Sequence, residues 1–197
     1  MPLGERHLYV TSVESWTDLA LRARNGDSRD FEAFVNETYG PTRRLCASFV
    51  DEASADDLVQ ETFLRVAKSI RRFRGESSGR TWLFSITYRV CATELRNRVR
   101  RRGQSASFGD IEMNNTRTAE DLAESVAVTD LLAYLTPERR SSFVLTQLYG
   151  ISYEEAATIC QCAEGTVASR VARARRDLIA LFHADAEPRD AVTDWVE

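Results

Sequence analysis

No stretch of this chain stays apolar long enough to span a membrane or to form a signal-peptide core, so membrane insertion is not expected and a cytoplasmic protein is. Histidine is scarce: His7 and His183 stand near the two ends, without companion metal ligands. The four cysteines, Cys46, Cys91, Cys160 and Cys162, are scattered through helical patterns and do not form paired CxxC ligands. They read as small core residues, and no metal, disulfide or cofactor is expected. Also missing are a phosphate loop, a nucleophile beside a base and a cluster of metal ligands, which removes the grounds for an enzyme. Strand-like alternation does not compete with the helical patterns anywhere, so the expected class is all-α.

A strong overall charge is lacking too. The chain has 26 Lys and Arg against 30 Asp and Glu, a net charge of -4, which at first argues against a nucleic-acid binder. The distribution reverses that impression. From Arg65 to Arg102 there are 12 bases and 2 acids, whereas Asp27 to Glu61 holds 9 acids and 3 bases. Residues 103 to 130 carry 6 acids and 1 base, and the tail after Phe182 carries 5 acids and 1 base. Attraction and its salt dependence act locally, so such blocks imply one face for phosphates and another for a basic partner.

Apolar spacing divides the chain into an extension (1–18), a helical domain (19–102), a linker (103–120), a second helical domain (121–182) and an acidic tail (183–197). In the first domain a helix begins at Leu19, another spans Asp30 to Val50, and a third spans Ala55 to Arg72 with Val59, Phe63, Val66, Ala67 and Ile70 along one stripe. Phe73 to Arg80 reads as a loop. From Thr81 to Arg102 a further helix buries Trp82, Leu83, Ile86, Val90 and Leu95, which leaves Tyr88 off the seam. Gly103 to Thr118 lacks periodicity and reads as a flexible linker. Asp121 to Leu135 is helical, and Thr136-Pro137-Glu138 supplies an N-cap, an N1 proline and an acidic first turn for the helix ending near Gly150.

The most informative segment follows. Ser152 and Glu155 form a capping box that starts a short helix. A second helix, Glu164 to Arg176, places Ser169, Arg170, Arg173 and Arg176 at helical spacing, with Gly165 and Thr166 in its first turn. Gly165 there would let backbone N–H groups approach a phosphate, aided by the helix dipole. Two short helices, a tight joint and an arginine-lined second helix suggest a helix-turn-helix that reads the major groove. The alternative is an ordinary amphipathic hairpin with a solvated arginine face.

In order along the chain, Asp56-Asp-Leu-Val-Gln-Glu-Thr-Phe63, Phe73-Arg-Gly-Glu-Ser-Ser-Gly-Arg-Thr-Trp-Leu83, Leu135-Thr-Pro-Glu-Arg-Arg140, Tyr153-Glu-Glu-Ala-Ala157 and Gly165-Thr-Val-Ala-Ser-Arg170 resemble the successive signatures of the extracytoplasmic-function (ECF) sigma factors of bacterial RNA polymerase. The resemblance implies two helical domains, sigma regions two and four, in a non-enzymatic subunit that binds core polymerase, recognises promoter DNA and promotes strand opening. It implies that Asp56, Asp57, Leu58, Gln60 and Glu61 dock on the clamp helices of the largest polymerase subunit. A solvated face with a Glu61 to Arg65 pair is the alternative, worth roughly 0.2 to 0.5 kcal/mol.

By the same resemblance, the loop with Arg74, Glu76, Ser77, Ser78 and Arg80 captures a base flipped from the minus-ten element. Tyr88, Arg89, Arg96 and Arg100 then hold the displaced strand. Trp82 belongs to the core, and Tyr88 is the aromatic candidate for DNA. Gly165, Thr166, Ser169, Arg170, Arg173 and Arg176 form the minus-thirty-five surface. The sequence departs from the family pattern at Tyr88, Arg89, Thr93, Ala168 and Ala172, and at Gln161, which stands where the turn usually has glycine. Members are commonly held inactive by an anti-sigma factor, so such a partner is a candidate. Two rivals remain open: a free-standing DNA-binding repressor and a helical protein-interaction module.

Overall fold

The structure is a computed structural model that describes residues 13–50, 52–105 and 128–186; most of the linker, of the extension and of the acidic tail lies outside the described residues, while the first three linker positions, 103–105, continue the preceding helix. The first domain contains α1 (Val13–Ala23), α2 (Ser28–Ala47), α3 (Glu52–Ser69) with a 3-10 turn at Ile70–Arg72, and α4 (Gly79–Ser105). The second contains α5 (Val128–Ala133), α6 (Pro137–Phe143), a π-helical turn at Val144–Leu148, α7 (Tyr153–Cys160) and α8 (Glu164–Ala186). There is no strand among the described residues, and the all-α class is as expected.

Apolar stripes explain the first domain. Phe34 and Leu45 from α2, Val59 and Val66 from α3, and Leu83 and Phe84 from α4 are almost wholly buried together. Each such side chain contributes about 1.5–3 kcal/mol relative to exposure. Cys46 and Cys91 meet in this core with their sulfurs 3.8 Å apart. Their hydrogen bond, together with burial, pushes the Cys91 thiol well above its usual pKa and keeps it protonated. Ala67, expected on the buried stripe of α3, is exposed, because the helix rotates Val66 and Ile70 inward past it.

The expected boundary after residue 18 falls inside α1. Trp16 is buried and meets Phe84 edge-on at 5.9 Å. Thr17 Oγ1 accepts the Gly79 N–H at 2.8 Å, and a Cβ on Gly79 would lie 2.6 Å from the Trp16 carbonyl oxygen. Glycine is needed there because the start of α4 presses directly on the α1 backbone.

In the second domain the expected helix from Asp121 lies outside the described residues up to 127. Thr136 occupies the N-cap position of α6 but makes no side-chain capping bond; Pro137 and Glu138 fill the first turn. The capping box of α7 is formed in both directions, with Ser152 Oγ accepting from the Glu155 N–H at 3.1 Å. Gln161 closes α7 in the left-handed conformation, φ 55 and ψ 48. A Cβ in that region costs roughly 1–2 kcal/mol, part of which glycine returns through its greater unfolded-state entropy. Gln161→Gly is therefore expected to stabilise the protein by about 0.5–1 kcal/mol and to raise its melting temperature by about 2 °C in a thermal melt.

The two domains pack on each other. Phe84 of α4 meets Tyr149 edge-on at 5.2 Å, and the Tyr149 hydroxyl donates to the Pro41 carbonyl at 3.3 Å. Arg140 donates to the Phe49 carbonyl at 3.1 Å, and the Thr81 hydroxyl donates to the Glu155 carboxylate at 2.6 Å. One continuous apolar core spans both halves.

Candidate nucleic-acid interface

The helix α8 buries Val167, Val171 and Ala174, which turns Gly165, Ser169, Arg173 and Arg176 to solvent. A Cβ on Gly165 would meet nothing within 4 Å among the described residues outside its own helix turn. Thr166 is half-buried, and its carbonyl accepts the Ser169 hydroxyl at 3.0 Å. Arg170 differs from its expected companions. It is half-buried and reaches back to the Cys162 sulfur at 3.5 Å, because its position on α8 faces the turn.

Around the loop that precedes α4, a cleft of about 350 Å³ is lined by Arg72, Phe73, Arg74, Glu76, Ser77 and Trp82. Gly75 holds a positive φ of 75, which turns the loop around this cleft. Arg74 and Glu76 are each 80% exposed and only loosely paired at 3.8 Å, so both remain free to meet a ligand. Trp82 packs on Phe73 with ring centroids 4.9 Å apart and on Phe34 at 6.3 Å. It is core on one side and cleft wall on the other, which periodicity alone does not separate. Arg72 was missed because it sits at the end of the preceding 3-10 turn.

Two expected strand contacts are otherwise engaged. Ser78 caps α4, its Oγ accepting the Thr81 N–H at 3.0 Å. Arg80 is half-buried with its guanidinium 5.7 Å from the centre of the Phe84 ring; burial lowers its pKa, and the nearby Glu155 carboxylate offsets part of that effect. Tyr88 is placed differently from Arg89 and Arg96. It meets Phe49 at 6.2 Å and, half-buried, lines a cavity with Arg89, Arg96, Pro137 and Cys160, so the ring is turned toward the second domain. Burial raises its phenol pKa, and Cys160 beside it adds to the shift. Tyr88 lies off the intradomain seam, as expected, but on an interdomain one. Arg89, Arg96 and Arg100 are exposed along α4.

The acidic face of α3 is partly as expected. Asp57 and Gln60 are exposed, Asp56 is paired with Arg43 at 2.7 Å, and Glu61 is paired with Arg65 at 2.7 Å. Leu58 is corrected: at 9% exposure it belongs to the core, since its helical position matches Val59 and Thr62 on the inner side. In its place the structure presents Leu64, 52% exposed, and Tyr39, 44% exposed and stacked on Phe63 at 6.2 Å. The signal for Leu64 was available, because it lies four residues after Gln60 on the polar face.

The family of sigma-70 region 2 matches residues 22–101, and that of sigma-70 region 4 matches residues 125–178. The ECF RNA polymerase sigma factor SigC of Mycobacterium tuberculosis is 44% identical over 178 residues, covering 90% of this chain and 94% of that protein. The chain belongs to the extracytoplasmic-function sigma factors. This sigma factor is also 32% identical to the RNA polymerase sigma-H factor of Pseudomonas aeruginosa, over 84% of its own length and 93% of the relative's. Among solved structures it is similar to CnrH in complex with the cytosolic domain of CnrY, with TM-score 0.65 and 28% identity over 86% of this chain and 98% of that one. It is likewise similar to RpoE of Bartonella quintana in complex with the anti-sigma factor NepR, with TM-score 0.64 and 30% identity over 80% and 99%.

In this sigma factor the arginines of α4 divide by their contacts. Arg98 and Arg101 share the Glu94 carboxylate at 3.0 and 2.7 Å, and Arg98 also reaches Ser54 of α3 at 2.6 Å. The Arg98 bond and, after it, Arg101 hold the Glu94 carboxyl below its usual pKa, although burial acts the other way. Arg98 thereby ties α4 to α3, while Arg101, its side chain 62% exposed, is paired within α4. Arg89, Arg96 and Arg100 are exposed on the same helix. No helix among the described residues is long and apolar enough to cross a membrane.

Proposed function

We propose that this sigma factor works through three faces: α3 with Asp57, Gln60 and Leu64 for core polymerase, the loop cleft and outer α4 for the minus-ten strand, and outer α8 for the minus-thirty-five duplex. The observation that carries the reading is the sorting of exposed charge. Arg89, Arg96 and Arg100 are exposed on outer α4, Arg173 and Arg176 on outer α8, and Asp56, Asp57 and Gln60 on the first turns of α3, while the apolar stripes of all three helices face inward. Backbone phosphates then supply attraction, and side chains at base edges supply discrimination. The flipped base belongs in the cleft between Trp82 and Arg74, where an aromatic wall and charged rims can hold it. The chain contributes binding energy and breaks no covalent bond. It acts in the bacterial cytoplasm, where polymerase and chromosome meet, and an anti-sigma factor is a further partner, as in the RpoE–NepR complex.

The test is transcription in vitro with sigma-free core polymerase and a fragment library of the source genome. Discrete starts that share two upstream motifs are expected; stable core binding with no defined starts would overturn the promoter reading. Arg173→Ala is expected to weaken upstream recognition by about 1–3 kcal/mol, the worth of one good base contact. The minus-thirty-five footprint should fade while the core affinity stays unchanged.

A further inference from the structure

We propose that the cavity bounded by α4, the start of α6 and the end of α7 is a binding site for a guanine nucleotide, which sets its phosphates on Arg89 and Arg96 and its base edge on Glu138.

The cavity has the size and place of a ligand site. It measures about 510 Å³, within the range of about 300–1,000 Å³ usual for small-molecule pockets, and like many of them it lies between two domains. It shares no lining residue with the smaller cleft at the loop before α4. Ala92 and Leu95 form its wall between the two arginines, and Phe49 and Tyr88 contribute two rings. A planar ring suits such a wall, because burying its faces supplies attraction that a small hydrated ion does not gain.

Charge gives the ligand its polarity. Arg89 and Arg96 stand seven residues apart, about two helical turns, and so project from one face of α4 into the same cavity. Glu94, the one acid in α4, is taken by Arg98 and Arg101, which leaves the charge of Arg89 and Arg96 uncompensated on their own helix. A guanidinium presents a planar fork of donors that matches phosphate oxygens. Burial keeps the Tyr88 phenol protonated, so its hydroxyl adds a donor to the same wall.

The second domain supplies the opposite character. Glu138, exposed in the first turn of α6, lines the cavity with an acceptor-only carboxylate, so the ring it meets must offer N–H groups. Guanine presents two neighbouring ones, N1–H and the 2-amino group, to the two oxygens of a carboxylate. Adenine presents its 6-amino group beside an acceptor nitrogen, which a carboxylate repels. Arg89 and Arg96 are also read above as strand contacts, so a bound nucleotide and a strand are alternatives on this part of α4. That consequence rests on the strand reading, whereas the site itself does not.

Calorimetric titration of the full chain with GTP and magnesium, without DNA, tests the site independently of that reading. One GTP per chain is expected, with ATP and inosine triphosphate each bound about tenfold more weakly or worse, since inosine lacks the 2-amino donor and a hydrogen bond to a charged group carries at least that factor. Glu138→Gln is expected to erase the preference for GTP over ATP, because an amide offers the base edge one acceptor and one donor. Ala92→Trp fills the space between the arginines and should abolish binding; a thermal melt establishes that each variant is folded. Absence of GTP binding by the wild-type chain, or ATP bound as tightly as GTP, would overturn the proposal. A preference for GTP that survives Glu138→Gln would overturn it as well, and so would undiminished binding by folded Ala92→Trp, which would put the nucleotide on the open arginine surface outside the cavity.

Discussion

Alanine at both Arg96 and Arg100 is expected to impair open-complex formation while leaving core polymerase binding intact. Both side chains are exposed on α4, and Arg96 bonds to its own helix, from Nε to the Ala92 carbonyl at 3.1 Å and from Nη2 to the Thr93 hydroxyl at 3.4 Å. Neither substitution removes a core contact, so the melting temperature should hold. Each phosphate contact on a single strand contributes about 0.7 to the slope of log affinity against log salt, so losing two should reduce that slope by about 1.4. Permanganate footprinting across a salt series reads the effect. Loss of core binding in parallel would reject the assignment, as would an unchanged slope. Arg98 and Arg101 serve as the contrast, because their pairing with Glu94 predicts a change in stability before any change in the salt slope.

The second large effect separates docking from folding on a single helix. Leu58→Ala is expected to cost about 2–5 kcal/mol, as for other buried leucines. At roughly 2–4 °C per kcal/mol for a chain of this size, the melting temperature falls on the order of 10 °C. Core affinity, measured on the fraction that remains folded, should be little changed because Leu58 does not face outward. Asp57→Lys combined with Leu64→Ala should do the opposite: near wild-type melting, with core affinity reduced more than about tenfold, or 1.4 kcal/mol. Reversing a charge on an interface opposes complementarity, and Leu64 is the large apolar side chain available as an anchor on that face. Equal core affinity in the double variant would move the docking site off α3.

Much of this was legible in the amino-acid order because the signals are local. Helical spacing of apolar residues, the Ser152–Glu155 capping box and the awkward Gln161 turn depend on neighbours within about one turn, and each is found in the structure. The face of α8 was equally readable, since Val167, Val171 and Ala174 fix its rotation and thereby expose Arg173 and Arg176. Arg170 and Leu58 were harder. Each lies near the boundary between an inner and an outer face, where a modest rotation of the helix changes the outcome.

The sequence by itself determined the helices, their polarity and the segregation of charge, because these follow from the order of side chains along one chain. Tertiary structure alone decided that Arg98 also ties α4 to α3, since its guanidinium reaches Ser54 only when the two helices are packed, whereas its pairing with Glu94 lies within α4. It also decided the fate of Tyr88. Being off the seam of its own domain left two options, solvent or another surface, and only the approach of Cys160, more than seventy residues away along the sequence, selected the second. Such contacts depend on how two folded bodies meet, a relation that no periodicity within either body encodes.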